Sequence, residues 1–367
     1  MEYRRLGRTG LEVSVIGFGG IKLHKIRQDM ATRVINRELD LGVNFIDTAR
    51  DYGDSERKIG IATRGRREDF YLATKTTGRT FEAAKEDLKT SLSELGMENI
   101  DLWQLHGIID RDMWDEIMGP GGALEAAKWA RDRGYVDHIG ISVHRERGVM
   151  REAIECGEFE TIMLAYSLID QENVEDEILP LAKENDLGVI IMKALSGGAM
   201  ATPTAEGEPK PEYDPIVRGN LRYVLSNPAV TIAIPGIERL SEVEEDCAVG
   251  ENVEPLTEEE RRDLLKEIGK LGLMLKYDQT CLGCGYCMPC PNGINIPEVF
   301  RALREYRGYP DNLRYIGMET YESLEVTPDA CTECRQCMEK CPTGMDIPAR
   351  LKKARRLLEG AISRARG

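Results

Sequence analysis

Nowhere in the 367 residues does an apolar run approach the ~18 residues that a membrane-spanning helix requires. The opening MEYRRLGRTG has no apolar core of the kind that directs secretion, so the chain is expected in the cytoplasm. Positive charge is in deficit as well. Forty-nine Lys and Arg against 64 Asp and Glu give a net charge of −15, which argues against nucleic acid or an anionic membrane surface as a partner. The dinucleotide-binding pattern Gly-x-Gly-x-x-Gly is missing, because Gly17-Phe18-Gly19-Gly20 lacks its spacing. Histidine is sparse: His24, His138 and His144 share no metal-ligand spacing and read as structural or surface residues. Outside the C-terminal region the only cysteines are Cys156 and Cys247, both in helix-period segments where a free thiol serves as a small core residue.

What is present begins with the other eight cysteines. They form two runs, Cys281-x2-Cys284-x2-Cys287-x2-Cys290-Pro291 and Cys331-x2-Cys334-x2-Cys337-x3-Cys341-Pro342. Thiolates at a stride of three, closed by Cys-Pro, are how bacterial-type ferredoxins hold [4Fe–4S] clusters; the fourth cysteine of each run reaches to the other cluster. Zinc is the rival reading, but zinc ribbons use separated cysteine pairs. A disulfide framework does not suit a chain of this length in a reducing compartment. The runs belong to a longer repeat, in which Cys290-Pro-Asn-Gly-Ile-Asn-Ile-Pro297 matches Cys341-Pro-Thr-Gly-Met-Asp-Ile-Pro348 and each terminal proline opens a helical stretch. Two ligand sets predict two clusters. The first run has two residues rather than three before its last cysteine, so spacing alone supports Cys290 least.

Residues 1–255 alternate short apolar strands with amphipathic helices. Strands are expected at Val13–Phe18, Asn44–Asp47, Phe70–Thr74, Asp101–Leu105, His138–Ser142, Thr161–Ala165, Gly188–Met192 and Val230–Ile234. Helical periodicity fills the intervals, for example at Ala31–Leu41, Phe81–Leu95 and Pro215–Leu225. This rhythm fits an α/β (β/α)8 TIM barrel, and the missing dinucleotide fingerprint disfavours a doubly wound sheet. Thr202–Pro215, rich in proline and charge, reads as a long loop after the seventh strand. Thr257 followed by Glu260 caps a connector helix running to Leu275. The expected division is a barrel over 1–255, a helical connector over 256–277, and a small, mostly helical iron–sulfur (ferredoxin-like) domain over 278–367.

Four polar residues stand at or just beyond predicted strand ends, where a TIM barrel carries its catalytic groups: Asp47, Tyr52, Lys75 and His106. Singly, each has a structural explanation as a turn residue, a surface group or a hydrogen-bonded core histidine. Together, on consecutive strands, they read as a site.

These residues carry a resemblance to the aldo-keto reductase family. Shared features are the hairpin-like opening YRRLGRTGLEVSVIGFGG, the stretch FIDTARDYGDSE, and the strand-end Lys75 and His106. Gly140-Ile-Ser142, Leu195-Ser-Gly197-Gly198 and Ile234-Pro235-Gly236 add to it, and the C-terminal runs resemble the branch fused to a 4Fe–4S domain. The resemblance implies that Tyr52 is the general acid–base, that Lys75 favours its phenolate, that Asp47 holds Lys75, and that His106 orients the substrate oxygen. It also implies a nicotinamide cofactor, NADP or NAD, contacted by Gly19, Asp47, Ser142, Tyr166, Leu195, Gly197, Pro235, Gly236 and Arg239. Three positions depart from the family: its asparagine after Ser142 is Val143, its glutamine is Met163, and Arg239 is the sole cation in Gly236–Asp246.

The expected function is therefore an NAD(P)H-dependent interconversion of a small carbonyl and an alcohol by hydride transfer, in a protein carrying two [4Fe–4S] clusters. The alternative is a redox-partner protein in which the barrel is chiefly a scaffold and the clusters relay electrons to an electron-transfer partner. The pocket loops His106–Gly121 and Ser196–Pro215 contain no motif that names a substrate.

Overall fold

The computed structural model describes residues 1–144, 146–169, 174–195, 214–270, 281, 283–308 and 314–366. The chain divides into two compact units, residues 1–194 with 220–256, and residues 195–219 with 257–367.

The first unit opens with an antiparallel hairpin, β1 (Tyr3–Arg5) and β2 (Glu12–Ser14). Eight parallel strands follow: β3 (Phe18–Gly19), β4 (Phe45–Asp47), β5 (Tyr71–Thr76), β6 (Ile100–Ile108), β7 (Val136–Val143), β8 (Thr161–Ala165), β9 (Gly188–Met192) and β10 (Ile232–Ala233), in sequential order. Parallel bridges Ile16 to Ala233 and Gly19 to Gly236 join the first of these to the last, closing the sheet into a barrel. The expected strand Val13–Phe18 is divided: its start belongs to the hairpin and only its end enters the barrel. The hairpin seals one end of the barrel. Leu6 and Val13 join Phe45, Leu102, Met163 and Ile190 in one apolar cluster. Gly7 makes this possible, because its φ is +51° and a Cβ there would lie 2.1 Å from the backbone nitrogen of Gly188.

Helices cover the outside of the barrel: α1 (Gln28–Asp40), α2 (Ser55–Ala62), α3 (Phe81–Leu95), α4 (Arg111–Met118), α5 (Ala123–Asp132), α6 (Arg147–Glu155), α7 (Ile178–Glu184), α8 (Pro215–Ser226) and α9 (Leu240–Glu251). Thr80 caps α3 by accepting from Ala83 N, and Gly96 ends it in the left-handed conformation. Helix α4 lies within a stretch expected as loop. Its sequence RDMWDEIM buries only Trp114 and Ile117, too short an apolar pattern to stand out from the chain.

In the second unit, α10 (Glu258–Lys270) starts with the expected capping box: Glu260 N donates to Thr257 Oγ1 (3.2 Å) and Thr257 N to Glu260 Oε2 (2.8 Å). The connector's continuation to Leu275 lies outside the described residues, as does most of the Thr202–Pro215 loop. Helices α11 (Ile296–Gly308), α12 (Arg314–Glu322), α13 (Gln336–Glu339) and α14 (Ile347–Arg366) build the rest, and no strand occurs among the described residues of this unit. Pro297 and Pro348 sit in the first turns of α11 and α14, as the repeat predicts. Gly317 lets α12 approach α11, since a Cβ there would lie 2.6 Å from Ala302 O. No helix among the described residues is long and apolar enough to cross a membrane.

One buried acid in the barrel unit is not neutralised by a cation. Glu38 of α1 is 1% exposed, neither carboxyl oxygen has a hydrogen-bond partner, and burial followed by the nearby Asp246 pushes its pKa well above the carboxylate range. A raised native pKa gives stability at low pH that is lost as pH rises through the native value. Glu38→Gln is therefore expected to raise Tm at neutral and alkaline pH and to flatten the decline of Tm with pH; thermal scans across a pH series check this.

Candidate active site and cysteine cavities

Asp47, Tyr52, Lys75 and His106 converge where β4, β5 and β6 end. Lys75 is fully buried and Asp47 is 2% exposed. The ammonium donates to Asp47 Oδ2 (2.6 Å), to the backbone oxygen of Thr48 (2.7 Å) and to the phenol oxygen of Tyr52 (3.4 Å), so its three protons have three acceptors. The second oxygen of Asp47 accepts from Gln104 Nε2 (3.1 Å). Burial moves the Asp47 carboxyl above the usual carboxylate range, while Lys75, Gln104 and His106 oppose the rise. Lys75 Nζ also lies 4.8 Å from the centre of the Tyr52 ring.

The sequence FIDTARDYGDSE builds this arrangement locally. After Asp47 the loop backbone is tied to the strand that bears Lys75: Thr48 N donates to Ala73 O (2.9 Å) and Arg50 N to Lys75 O (3.0 Å). Ser55 Oγ donates to Gly20 O (3.0 Å) and shares a hydrogen bond with Thr48 Oγ1 (2.8 Å). Glu56, almost fully buried, accepts from Thr74 Oγ1 (2.7 Å) and pairs with Arg50. The motif thus fixes the loop at both ends and holds Tyr52, 9% exposed, over Lys75.

His106 meets Tyr52 edge-on, with ring centres 5.6 Å apart. The register of β6 against β7 shifts between Leu105 and Ile108, and Gly107 has φ +67°. This local irregularity sets the direction of His106. Burial lowers the His106 pKa, and Lys75 and Arg79 add to that, against the opposing pull of Asp51, whose Oδ1 is 3.1 Å from His106 Nδ1. The net effect favours the neutral ring. Arg79 supports the same residue from behind by donating to His106 O (2.7 Å).

Sequence reasoning missed Asp51, Gln104, Arg79, His144 and Lys193. His144, expected to be structural or on the surface, is 3% exposed and lies in the site, with its ring centre 6.2 Å from that of His106 and its Nδ1 3.4 Å from Lys193 Nζ. A two-residue stride from recognised positions exposes part of this set: Gln104 precedes His106 and His144 follows Ser142 by two, hence on the same strand face. Lys193 occupies the left-handed region (φ +59°) just after β9, a backbone choice no sequence signal announced.

Of the expected nucleotide contacts, Gly19 and Gly236 sit at the barrel seam, beside the buried Pro235. Ser142 is fully buried and accepts from Gly107 N (2.7 Å), which orients its hydroxyl while leaving that hydroxyl's proton to donate. Tyr166, 1% exposed, packs against Tyr223 at 5.6 Å and accepts from Asn227 Nδ2 (3.4 Å). Met163 belongs to the apolar barrel interior. Arg239 caps α9, with its side chain 57% exposed and 3.9 Å from Glu242. Lys22, unexpected from sequence, pairs with Glu238 (3.3 Å) beside Gly236. Leu195 falls in the second unit, and Gly197 lies outside the described residues.

In the second unit the eight cysteines border two cavities. One is lined by Cys281, Cys284, Cys287 and Cys341 with Ile296, Phe300 and Ile347. The other is lined by Cys290, Cys331, Cys334 and Cys337, and Cys287 lines both. Each run thus sends its last cysteine to the cavity of the other, which is the crossing that a two-cluster arrangement requires. Cys290, the ligand least supported by spacing, is thereby placed with the second run. Among the described residues no three potential ligands converge as a site for a single metal ion. Burial raises the Cys281 thiol to about 11 and Cys287 further; bound iron would supply the positive charge that holds them as thiolates.

The Lys75–Asp47 pair generates a direct test. Lys75→Met strands a buried carboxylate and is expected to cost about 3–5 kcal/mol; adding Asp47→Asn to it should restore a substantial part of the loss. Urea unfolding of the single and double variants measures this coupling.

Residues 15–218 match the aldo/keto reductase family, and residues 280–346 match the 4Fe-4S dicluster domain. An uncharacterized oxidoreductase of Bacillus subtilis, YqkF, is 28% identical over 304 residues, spanning 72% of this chain and 95% of the relative. The aldo-keto reductase YhdN of the same bacterium is 30% identical over 240 residues, spanning 59% of this chain and 70% of its own length. In the solved holo form of aldo-keto reductase AKR11C1 from Bacillus halodurans, the fold aligns with a TM-score of 0.60 at 29% identity, covering 73% of this chain and 96% of that one. With its closed eight-stranded barrel and its C-terminal cysteine unit, the chain belongs to the aldo/keto reductase family and carries a fused 4Fe–4S dicluster domain.

Proposed function

We propose that the chain is an NAD(P)-dependent oxidoreductase that interconverts a small carbonyl compound and its alcohol, with Tyr52 as general acid–base, and that its C-terminal unit holds two [4Fe–4S] clusters. The observation that carries the first part is the buried ammonium of Lys75, whose third proton goes to the phenol oxygen of Tyr52.

The nicotinamide, when bound, supplies or accepts the hydride. The protein manages the proton. Hydride arrival at a carbonyl carbon leaves charge on the oxygen, and a phenol of ordinary pKa ~10 is a weak donor at neutral pH. A cation at hydrogen-bond distance stabilises the phenolate and so assists the transfer. Asp47 and Thr48 O hold that cation where a flexible lysine would otherwise wander. His106, kept neutral by burial, orients the substrate oxygen beside Tyr52, and Asp51 and Arg79 fix its ring and backbone. Ser142 offers its hydroxyl proton to the nicotinamide amide. Two cations near the loop after the eighth barrel strand, Lys22 and Arg239, are already near glutamates, so that segment suits a nucleotide without an added 2′-phosphate better than one with it. The clusters would be held by Cys281, Cys284, Cys287 and Cys341, and by Cys290, Cys331, Cys334 and Cys337, and would supply one-electron capacity.

Fluorescence titration with NADH and NADPH, followed by Tyr52→Phe kinetics on a panel of aldehydes and ketones, tests the reading. Nucleotide Kd is expected to stay unchanged in Tyr52→Phe while kcat falls about 10²–10⁴-fold. A wild type that binds neither nucleotide contradicts the hydride reading and supports the alternative, a barrel used as scaffold for electron-relaying clusters.

A further inference from the structure

The two cysteine cavities differ in what surrounds them. The first is lined mostly by apolar residues and contains the buried Cys287 and Cys341; none of its lining residues is charged, although Arg304 donates to the backbone oxygen of Cys281 (3.2 Å). The second is bordered by Arg335 and Lys340, with no carboxylate among its lining residues, and its Cys334 is exposed. Glu333 and Glu339 share that segment but do not line the cavity. Helix α14 extends the asymmetry. Pro348 and Leu351 line the second cavity, and Lys352 and Arg356 continue from Pro348 at four-residue steps, so the exposed cations form a stripe leading away from the cavity wall. Neighbouring Arg355 is paired with Glu359 at 3.2 Å. The region is basic in a chain whose net charge is −15, so this patch opposes the overall field of the protein.

We propose that the second quartet is the electron port of the protein and that the patch of Arg335, Lys340, Lys352 and Arg356 docks an acidic one-electron carrier protein. This rests on the two-cluster reading above. Two physical effects act together. Cations beside a cluster of net negative charge offset the extra charge gained on reduction, which suits the second site to receive an electron. The same cations attract an acidic partner, and a cluster held in part by the exposed Cys334 would be accessible to it. In the exchange the reduced carrier loses one electron and the second cluster gains it; no bond forms or breaks and no proton moves.

The test uses the full chain, anaerobically reconstituted with iron and sulfide, with an acidic bacterial ferredoxin, chemically reduced, as probe. Stopped-flow absorbance is expected to show transfer that slows steeply as salt rises from ~20 to ~300 mM. Charge reversal in Lys352→Glu/Arg356→Glu should slow it about tenfold or more at low salt. Arg364→Glu, near the far end of α14, should leave it near the wild-type rate, and none of the variants should slow reduction by the small cation methyl viologen. EPR spectra and iron content are expected to match the wild type in every variant. Intact cluster signals with transfer indifferent to salt and to the Lys352→Glu/Arg356→Glu change overturn the port alone. Absence of cluster signals after reconstitution overturns the two-cluster reading and the port with it.

Discussion

Everything in the barrel site depends on keeping a lysine ammonium charged with no exposure to water. Desolvation of such a cation costs several kcal/mol unless its donors are all satisfied. Here the solution is complete: a carboxylate, a backbone carbonyl and a phenol each take one proton of Lys75. The phenol is the member to which the proposed function gives the acid–base role. On that proposal, the interaction that makes the charge tolerable in the core would also be the one that favours the Tyr52 phenolate. The rest follows from it. Asp47 must end β4, Lys75 must come from β5, and the loop between Asp47 and Ser55 must be pinned to that neighbouring strand.

Much of this was legible in the sequence, for identifiable reasons. Asp47, Lys75 and His106 stand at strand ends, and strands read well when apolar residues are bounded by turns. The cysteine runs were legible because metal-ligand spacing is local. The crossing of Cys290 and Cys341 between cavities was expected from spacing and chemistry, although only the folded unit puts Cys290 beside Cys331, Cys334 and Cys337. What escaped was set by long-range packing or by backbone conformation. Asp51 and Arg79 reach His106 through loops, Lys193 relies on a left-handed residue, and His144 gains its place only when β6 and β7 pair. The first barrel strand differs from the expected Val13–Phe18 for a related reason. Its apolar run serves two elements, hairpin and barrel, and periodicity cannot divide a run whose residues are all buried.

The two units embody different electron arithmetic. A nicotinamide-dependent barrel moves a pair of electrons as hydride, whereas a cluster passes one at a time. Among lining residues the cysteine unit is asymmetric, with no charged group at one cavity and Arg335 and Lys340 at the other, and the proposed electron port rests on that difference. If both proposed sites function, the protein would have the parts to join two-electron chemistry on a small molecule to a one-electron carrier.

The central claim is that hydride passes directly between a nicotinamide and a carbonyl carbon in the barrel. The most direct measurement is to run reduction of an aldehyde with nicotinamide deuterated at C4 and to locate the label in the alcohol by NMR. The account predicts one deuterium on the carbinol carbon, from a single face of the nicotinamide ring, whether or not the clusters are reduced. Alcohol carrying only solvent hydrogen at that carbon, formed while the clusters turn over, would contradict it.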